Sequence, residues 1–297
     1  MSVNETKPRK KTSQWHDVWR RFRKNRTAML GFSIMIGLIL LAFSADIIAP
    51  GSEDGLSPGY DIQNLQNTFR QPSRAHPFGT DNFGRDILAR IAHGSRISLQ
   101  VGLVVVTLSM IAGISLGAIS GYFSGVLDNF IMRVIDILLA IPSMLLAISI
   151  ASALRPGLHS IVIAVAVSAV PSYARIVRAS VLSLREQEFI EAARAIGGSN
   201  FRIITRHILP NCMAPIIVQA TMGMAIAILL AAALSFIGIG IQPPVPEWGA
   251  MLSESRRFIR DHWHMVLFPG LTIALVVFGL NMMGDGLRDA FDPRLKK

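Results

Sequence analysis

Six apolar stretches with few charges recur along the chain, at about 29–49, 98–121, 131–154, 159–180, 213–238 and 265–283. Each approaches or exceeds the roughly 20 residues a helix needs to cross a hydrocarbon core about 30 Å thick. In lipid a backbone must satisfy its own hydrogen bonds, so these stretches predict helices. Core helices of a soluble protein are the competing explanation. Six stretches of this length in one chain argue against it. The expected fold class is therefore all-α, a polytopic membrane protein with six transmembrane helices. The pattern divides the chain into a basic segment 1–28, a first span 29–49 and a loop 50–97. A five-helix core follows at 98–286, including a polar loop at 181–212, and 287–297 form a tail.

The first apolar stretch is longer than the roughly 7–15 residues of a signal-peptide core, which predicts an uncleaved anchor. Small residues around Ala42–Ala45 are the one feature a cleavage site would share. Prolines at 142 and 171 are expected to interrupt the third and fourth spans, either as plain kinks or as bends that line a pathway. In the second span Gly113, Gly117 and Gly121 repeat every four residues. That spacing predicts a groove in which a second helix backbone approaches closely.

Charge orients this arrangement. Segment 1–28 holds Lys7, Arg9, Lys10, Lys11, Arg20, Arg21, Arg23, Lys24 and Arg26. The positive-inside tendency places it in the cytoplasm, and six crossings return the C-terminus to the same side. Loop 181–212, with Arg185, Arg194, Arg202 and Arg206, then falls inside as well. Loops 50–97 and 240–264 fall outside, where Arg and Asp/Glu offset each other. The net charge of +10 thus reads as a membrane-orientation signal, and no nucleic-acid partner is expected. Trp15 and Trp19, interleaved with charges, suit a helix lying on the inner leaflet. Arg133 and Asp136 share a helical face and are expected to pair near the cytoplasmic start of span three. Asp46 is placed near the outer end of span one, and Arg175 and Arg178 near the inner end of span four. No chain of ionisable residues deep in the spans suggests a coupling ion.

Chemistry is excluded more firmly than it is indicated. A phosphate-binding P-loop needs a lysine after its glycines, and no lysine lies between residues 25 and 295. The lone Cys212 excludes an intrachain disulfide framework. His262 and His264 flank Trp263, but two ligands are too few for a metal, so interfacial histidines are expected. No catalytic residue, metal site or cofactor of the chain's own is expected.

Loop 181–212 is the most informative segment. Phe189, Ala193 and Ile196 recur at helical spacing, and Gly197 and Gly198 end that helix. Ser199 can cap a second short helix, with Ile203, Ile204, His207 and Ile208 on one stripe and Pro210 as its stop. The small Ala192 and Ala193 beside Glu191 would let the first helix seat in a partner's cleft. A loop lying on the membrane surface is the other reading.

Glu191, Ala192 and Ala193, followed by Gly197 and then Ile208, Leu209 and Pro210, resemble the EAA loop of permease subunits of binding-protein-dependent ABC importers. Further segments are similar to the dipeptide, oligopeptide and nickel branch, in particular its second, C-type permease. They are Phe78–Asp81 with Gly84, Arg85 and Asp86; Leu234–Phe236 with Gln242, Pro243, Pro244 and Pro246–Gly249; and Gly284–Ala290 with Asp292–Arg294.

The resemblance implies a type I importer permease in the bacterial inner membrane. It implies Glu191, Ala192, Ala193, Gly197, Leu209 and Pro210 at the ATPase contact. Asp81, Arg85, Asp86, Pro243, Pro244, Glu247 and Trp248 become candidates for docking a solute-binding protein. The implied partners are a second, homologous permease, two cytoplasmic ATPase subunits holding ATP and magnesium, a periplasmic or lipid-anchored binding protein, and membrane lipid. Peptides, glutathione-like thiols and nickel chelates are all carried within that family. A secondary transporter or channel without an ATPase is the alternative class.

Overall fold

The computed structural model describes residues 14–51 and 57–292. Lys7, Arg9, Lys10 and Lys11, used in the charge reading, lie outside the described residues, as do residues 52–56 and 293–297. The helices are α1 (Gln14–Lys24), α2 (Arg26–Phe43), α3 (Ala45–Ile48), α4 (Ile87–Phe123), α5 (Gly125–Ala140), α6 (Ser143–Ala153), α7 (Leu158–Arg185), α8 (Glu188–Ala195), α9 (Asn200–Ile203), α10 (Met213–Ile237), α11 (Trp248–Ser255) and α12 (His264–Phe291). Among the described residues five helical stretches are long and apolar enough to cross a membrane. A sixth crossing requires α5 and α6, which meet at 92°, to count as one span.

Packing supplies the parity that length alone does not. Asn25 at the start of α2 donates to Asp289 near the end of α12, and Gly31 abuts Gly279 and Met282, so these helices are antiparallel. Arg96 in α4 bonds the Ala42 carbonyl and Asp46, so α4 begins where α2 ends. Gly113, Gly117 and Gly121 meet Tyr173, Ala174 and Val181 in ascending order, so α4 and α7 run parallel. A chain leaving α4 must therefore return before α7 can begin, and only α5 and α6 lie between. The bent pair is the third crossing. Six crossings put α1, the α7–α10 connection and the end of α12 at one end of the bundle. Segments 44–86 and 238–263 lie at the other.

Local chemistry explains where elements start. Asp86 caps α4 by accepting from the Ala89 N–H at 2.9 Å, so this helix begins at Ile87 and not at residue 98. At 1.5 Å per residue its 37 residues reach about 55 Å, well beyond a hydrocarbon core. Pro142 caps α6 and breaks the third span, whereas Pro171 sits inside an unbroken α7. Pro210 does not end its helix either. The Leu209 N–H reaches back five residues to the Ile204 carbonyl, opening a π turn, and a tight 3-10 turn over Leu209–Cys212 leads into α10. Asn211 Nδ2 bonds the His207 carbonyl at 2.6 Å. The result is one continuous helical stretch from Asn200 to Ile237.

The glycine groove of α4 is filled by α7. A Cβ at Gly113 would stand 2.3 Å from Tyr173 Cβ, and one at Gly117 would stand 2.4 Å from the Ala174 carbonyl oxygen. Arg178 of α7 holds Asp128 of α5 through two bonds of 2.6 Å. Asp136 pairs with Arg175 at 2.8 Å, not with Arg133. Sequence proximity favoured the i, i+3 partner, but the parallel course of α7 brings a guanidinium closer. α1 lies across the α12 end, with Trp15 edge-on to Phe291 and Phe22 buried against Ala28 and Ala290.

Candidate functional site

The α7–α10 connection is built from the residues that suggested it, with changes in which face is buried. α8 ends in a Schellman arrangement. The Gly198 N–H bonds the Ala193 carbonyl, and the Gly197 N–H bonds that of Arg194. Gly197 takes φ +83°, a left-handed conformation that glycine adopts without strain. Ser199 then caps α9, its side chain accepting from the Arg202 N–H.

Ile190 and Ala193 turn inward and join Ile203, Ile208, Cys212 and Ile216 against Val177 and Val181 of α7 and Ala118 and Tyr122 of α4. The expected Phe189–Ala193–Ile196 stripe is therefore not the buried one, because Phe189 is exposed and Ile196 is 87% exposed. The buried stripe is shifted by one residue at its start. Phe201 is exposed too, at 78%. Glu191, Ala192, Gly197 and Pro210 lie on the surface, while Leu209 is half-buried.

One clamp on this connection was not visible in the sequence. The Tyr122 hydroxyl donates to Asn200 Oδ1 at 2.8 Å, and the Arg194 guanidinium lies 5.2 Å from the centre of the Tyr122 ring. The two short helices are thereby tied to the end of α4. Tyr122 and Asn200 stand 78 positions apart, and no local pattern links them.

At the opposite end, most of the expected docking residues are interior. Asp81 and Arg85 are buried, and their side chains bond at 2.6 Å. Arg90 of α4 bonds Asp81 at 2.7 Å and Glu254 of α11 at 2.9 Å, and Arg85 also reaches Glu254 and Asp61. This knot fastens segment 57–86 to α4 and α11. Burial works against the Arg85 charge, but Asp81 and Glu254 outweigh it and push its pKa above the ordinary value.

Glu247 is likewise inside, accepting from the Gly249 and Ala250 N–H groups at the start of α11. Burial raises its pKa above the usual carboxylate value, against the pull of those bonds. Trp248 is fully buried and donates to the Ile91 carbonyl. These side chains hold the cap together and offer nothing to a docked protein. Asp86 is half-buried, bonding His76 at 2.8 Å, and Pro243 and Pro244 are exposed. Pro243 lines a cleft of about 350 Å³ with Asn82, Phe83, Gln242, Arg256 and Arg257.

The histidine pair is not interfacial as expected. His264 is fully buried with Nε2 3.3 Å from the Thr80 carbonyl oxygen, and His262 stacks on Phe69. Among the described residues no three His, Cys, Asp or Glu side chains group as a metal site would need.

Comparison with known proteins agrees with this architecture. Residues 113–297 match the model of the binding-protein-dependent transport system inner membrane component, and residues 13–72 match the N-terminal TM domain of oligopeptide transport permease C. The chain is 51% identical to the dipeptide transport system permease protein DppC of Alkalihalophilus pseudofirmus, over 96% of this chain and 91% of that one. It is 44% identical to the glutathione transport system permease protein GsiD of Escherichia coli O157:H7, over 98% and 94%. A structure of the MetNI methionine ABC transporter in inward-facing conformations superposes with a TM-score of 0.56 at 18% identity, covering 68% of this chain and 97% of that one, which speaks for the fold alone. The chain belongs to the family of binding-protein-dependent transport system inner membrane components, as an ABC importer permease of the oligopeptide type.

Proposed function

We propose that the chain forms half of the translocation path of an ATP-driven peptide importer in the bacterial inner membrane. Its two relatives carry dipeptides and glutathione by name, which favours peptide cargo over a nickel chelate. Selection among peptides then rests mainly with a solute-binding protein. That protein docks on the end carrying Pro243, Pro244 and the Gln242–Arg257 cleft. A second, related permease completes the path. Two ATPase subunits bind ATP and magnesium and grip the opposite end. That end, with both termini, faces the cytoplasm, in keeping with the basic residues of α1.

The observation that carries this reading is the surface of the α7–α10 connection. Glu191, Ala192 and Gly197 stand exposed beside Ile196 and Phe201, an apolar patch at an aqueous end of the bundle. Its floor is packed into α4, α7 and α10, and α9 runs unbroken into α10. A push on this surface tilts three spans together, which is what alternating access requires. Glu191→Lys tests it. The variant should insert normally yet co-purify with less ATPase and lose most peptide uptake. Full uptake with an undiminished ATPase complement would refute the assignment.

A further inference from the structure

Two ion pairs link α5 to α7, and they differ in setting. Arg178–Asp128 is a brace, with Asp128 buried. Arg175–Asp136 is open, with the side chains 58% and 55% exposed. Arg175 stands ten residues before the end of α7, and Asp136 eleven residues after the start of α5. At 1.5 Å per residue both lie about 15 Å from those helix ends; α7, about 42 Å long, overruns a core about 30 Å thick by about 6 Å at each end when centred, which leaves the pair about 9 Å inside it. The sequence had placed Arg175 at an inner helix end and Asp136 near a cytoplasmic start. The longer helices put both more than two turns from the helix ends.

Exposed charges at that depth are strongly disfavoured against lipid and face a bundle interior or a water-filled cavity. The same face carries further polar groups. Arg133, one turn from Asp136, is exposed and makes no ion pair among the described residues. Pro171 lacks an N–H, so the carbonyl four residues back, at the exposed Val167, has no helical partner. The chain also breaks by 92° between α5 and α6. A third exposed charge one turn from an open ion pair fits water, not acyl chains.

We propose that Arg175 and Asp136 form a polar station on the water-filled wall of the path, where Arg175 meets a cargo carboxylate and Asp136 a cargo ammonium. This rests on the peptide-importer reading and deepens it. The two groups neutralise each other between passages, so cargo termini exchange with an existing pair. Contact of this kind is weak and reversible, as conduction requires.

The test uses the full importer in lipid nanodiscs, with the companion permease, ATPases and binding protein. In a Cys212→Ser background, single Arg175→Cys and Asp136→Cys variants are exposed to a charged, membrane-impermeant thiosulfonate. Both should react in the assembled complex, and about threefold more slowly during turnover with a zwitterionic dipeptide. Reaction only in the isolated subunit means that the companion covers this face, and overturns the proposal. In a second arm, Asp136→Asn should narrow the preference for a free dipeptide over its N-acetyl form about tenfold. An unchanged preference overturns the assignment of the ammonium. A wild-type complex that imports no peptide sinks the peptide reading itself. The labelling rate, which needs no cargo, still upholds or overturns the water-lined wall.

Discussion

Adding a single methyl group to each of four glycines should have opposite effects on stability depending on what stands opposite. At Gly117 a new Cβ meets the Ala174 carbonyl oxygen at 2.4 Å, Val177 Cβ at 2.8 Å and the Arg178 nitrogen at 3.0 Å. Two of these are backbone atoms, so relief requires the helices to separate. A gap of 0.5–1 Å forfeits roughly a quarter to a half of each dispersion contact along the seam. Overpacking of this kind costs about 1–3 kcal/mol. Alanine returns about 0.5–1 kcal/mol of helix propensity, leaving a net loss of up to about 2.5 kcal/mol for Gly117→Ala.

Gly113→Ala, facing Tyr173 Cβ at 2.3 Å, should match it, and Gly121→Ala, facing Val181 Cβ at 2.9 Å, should cost less. Gly37 has nothing within 4 Å, so Gly37→Ala keeps only the propensity gain. The assay is built into the chain. Cys212 is its one cysteine and is buried, so a dye that fluoresces on reacting with a thiol reports unfolding during heating. The propensity gain is common to both variants, so at roughly 2–4 °C per kcal/mol the midpoints of Gly37→Ala and Gly117→Ala should differ by about 2–12 °C. Equal midpoints, or a Gly37 variant as weakened as the Gly117 one, would refute the close-packing argument.

Other expectations follow from the same structure. Because burial raises the Glu247 pKa, its contribution to stability is fully present below the ordinary value of 4.5 and is lost as pH rises through the raised one. Glu247→Gln should therefore gain on wild type as the buffer is moved from below pH 4.5 toward neutrality, and a melting difference that stays flat over that range would contradict it. Asp81→Ala removes one of the two acceptors that the buried Arg85 and Arg90 guanidiniums share and leaves both charges to Glu254, with Asp61 reaching Arg85 only. A loss of about 3–5 kcal/mol is expected, seen as faster proteolysis within segment 57–80, and unchanged cleavage would count against the knot. Gly197→Val has open space but the wrong backbone preference, worth about 1–2 kcal/mol. Gly197→Asn should retain more ATPase coupling than Gly197→Val, and the reverse order would show that the site is sensed by size alone.

The number and character of the spans could be read from apolar length because lipid leaves a backbone few options. The Schellman turn at Gly197 and the Ser199 cap were equally accessible, since both depend on neighbours within six residues. Residues whose meaning depends on distant packing were misread. Asp81, Arg85, Glu247 and Trp248 look like an exposed polar motif in one dimension. They are interior because α4 and α11, more than 150 positions apart, close over them. Pro210 looked like a terminus because proline usually is one, and a π turn absorbed it. Tyr122 carried no signal, as its partners sit in another loop.

The parallel seam between α4 and α7 has a mechanical corollary. Backbones wedged this tightly cannot slide by less than a turn without colliding, so the two helices act as a single shaft about 40 Å long or more. One end of that shaft is held by the Tyr122 clamp and the other by the Arg90 knot. A rotation delivered at the first must emerge at the second with its angle preserved. Spin labels placed at the two ends of α4 and α7 should therefore keep fixed mutual distances through the whole nucleotide cycle.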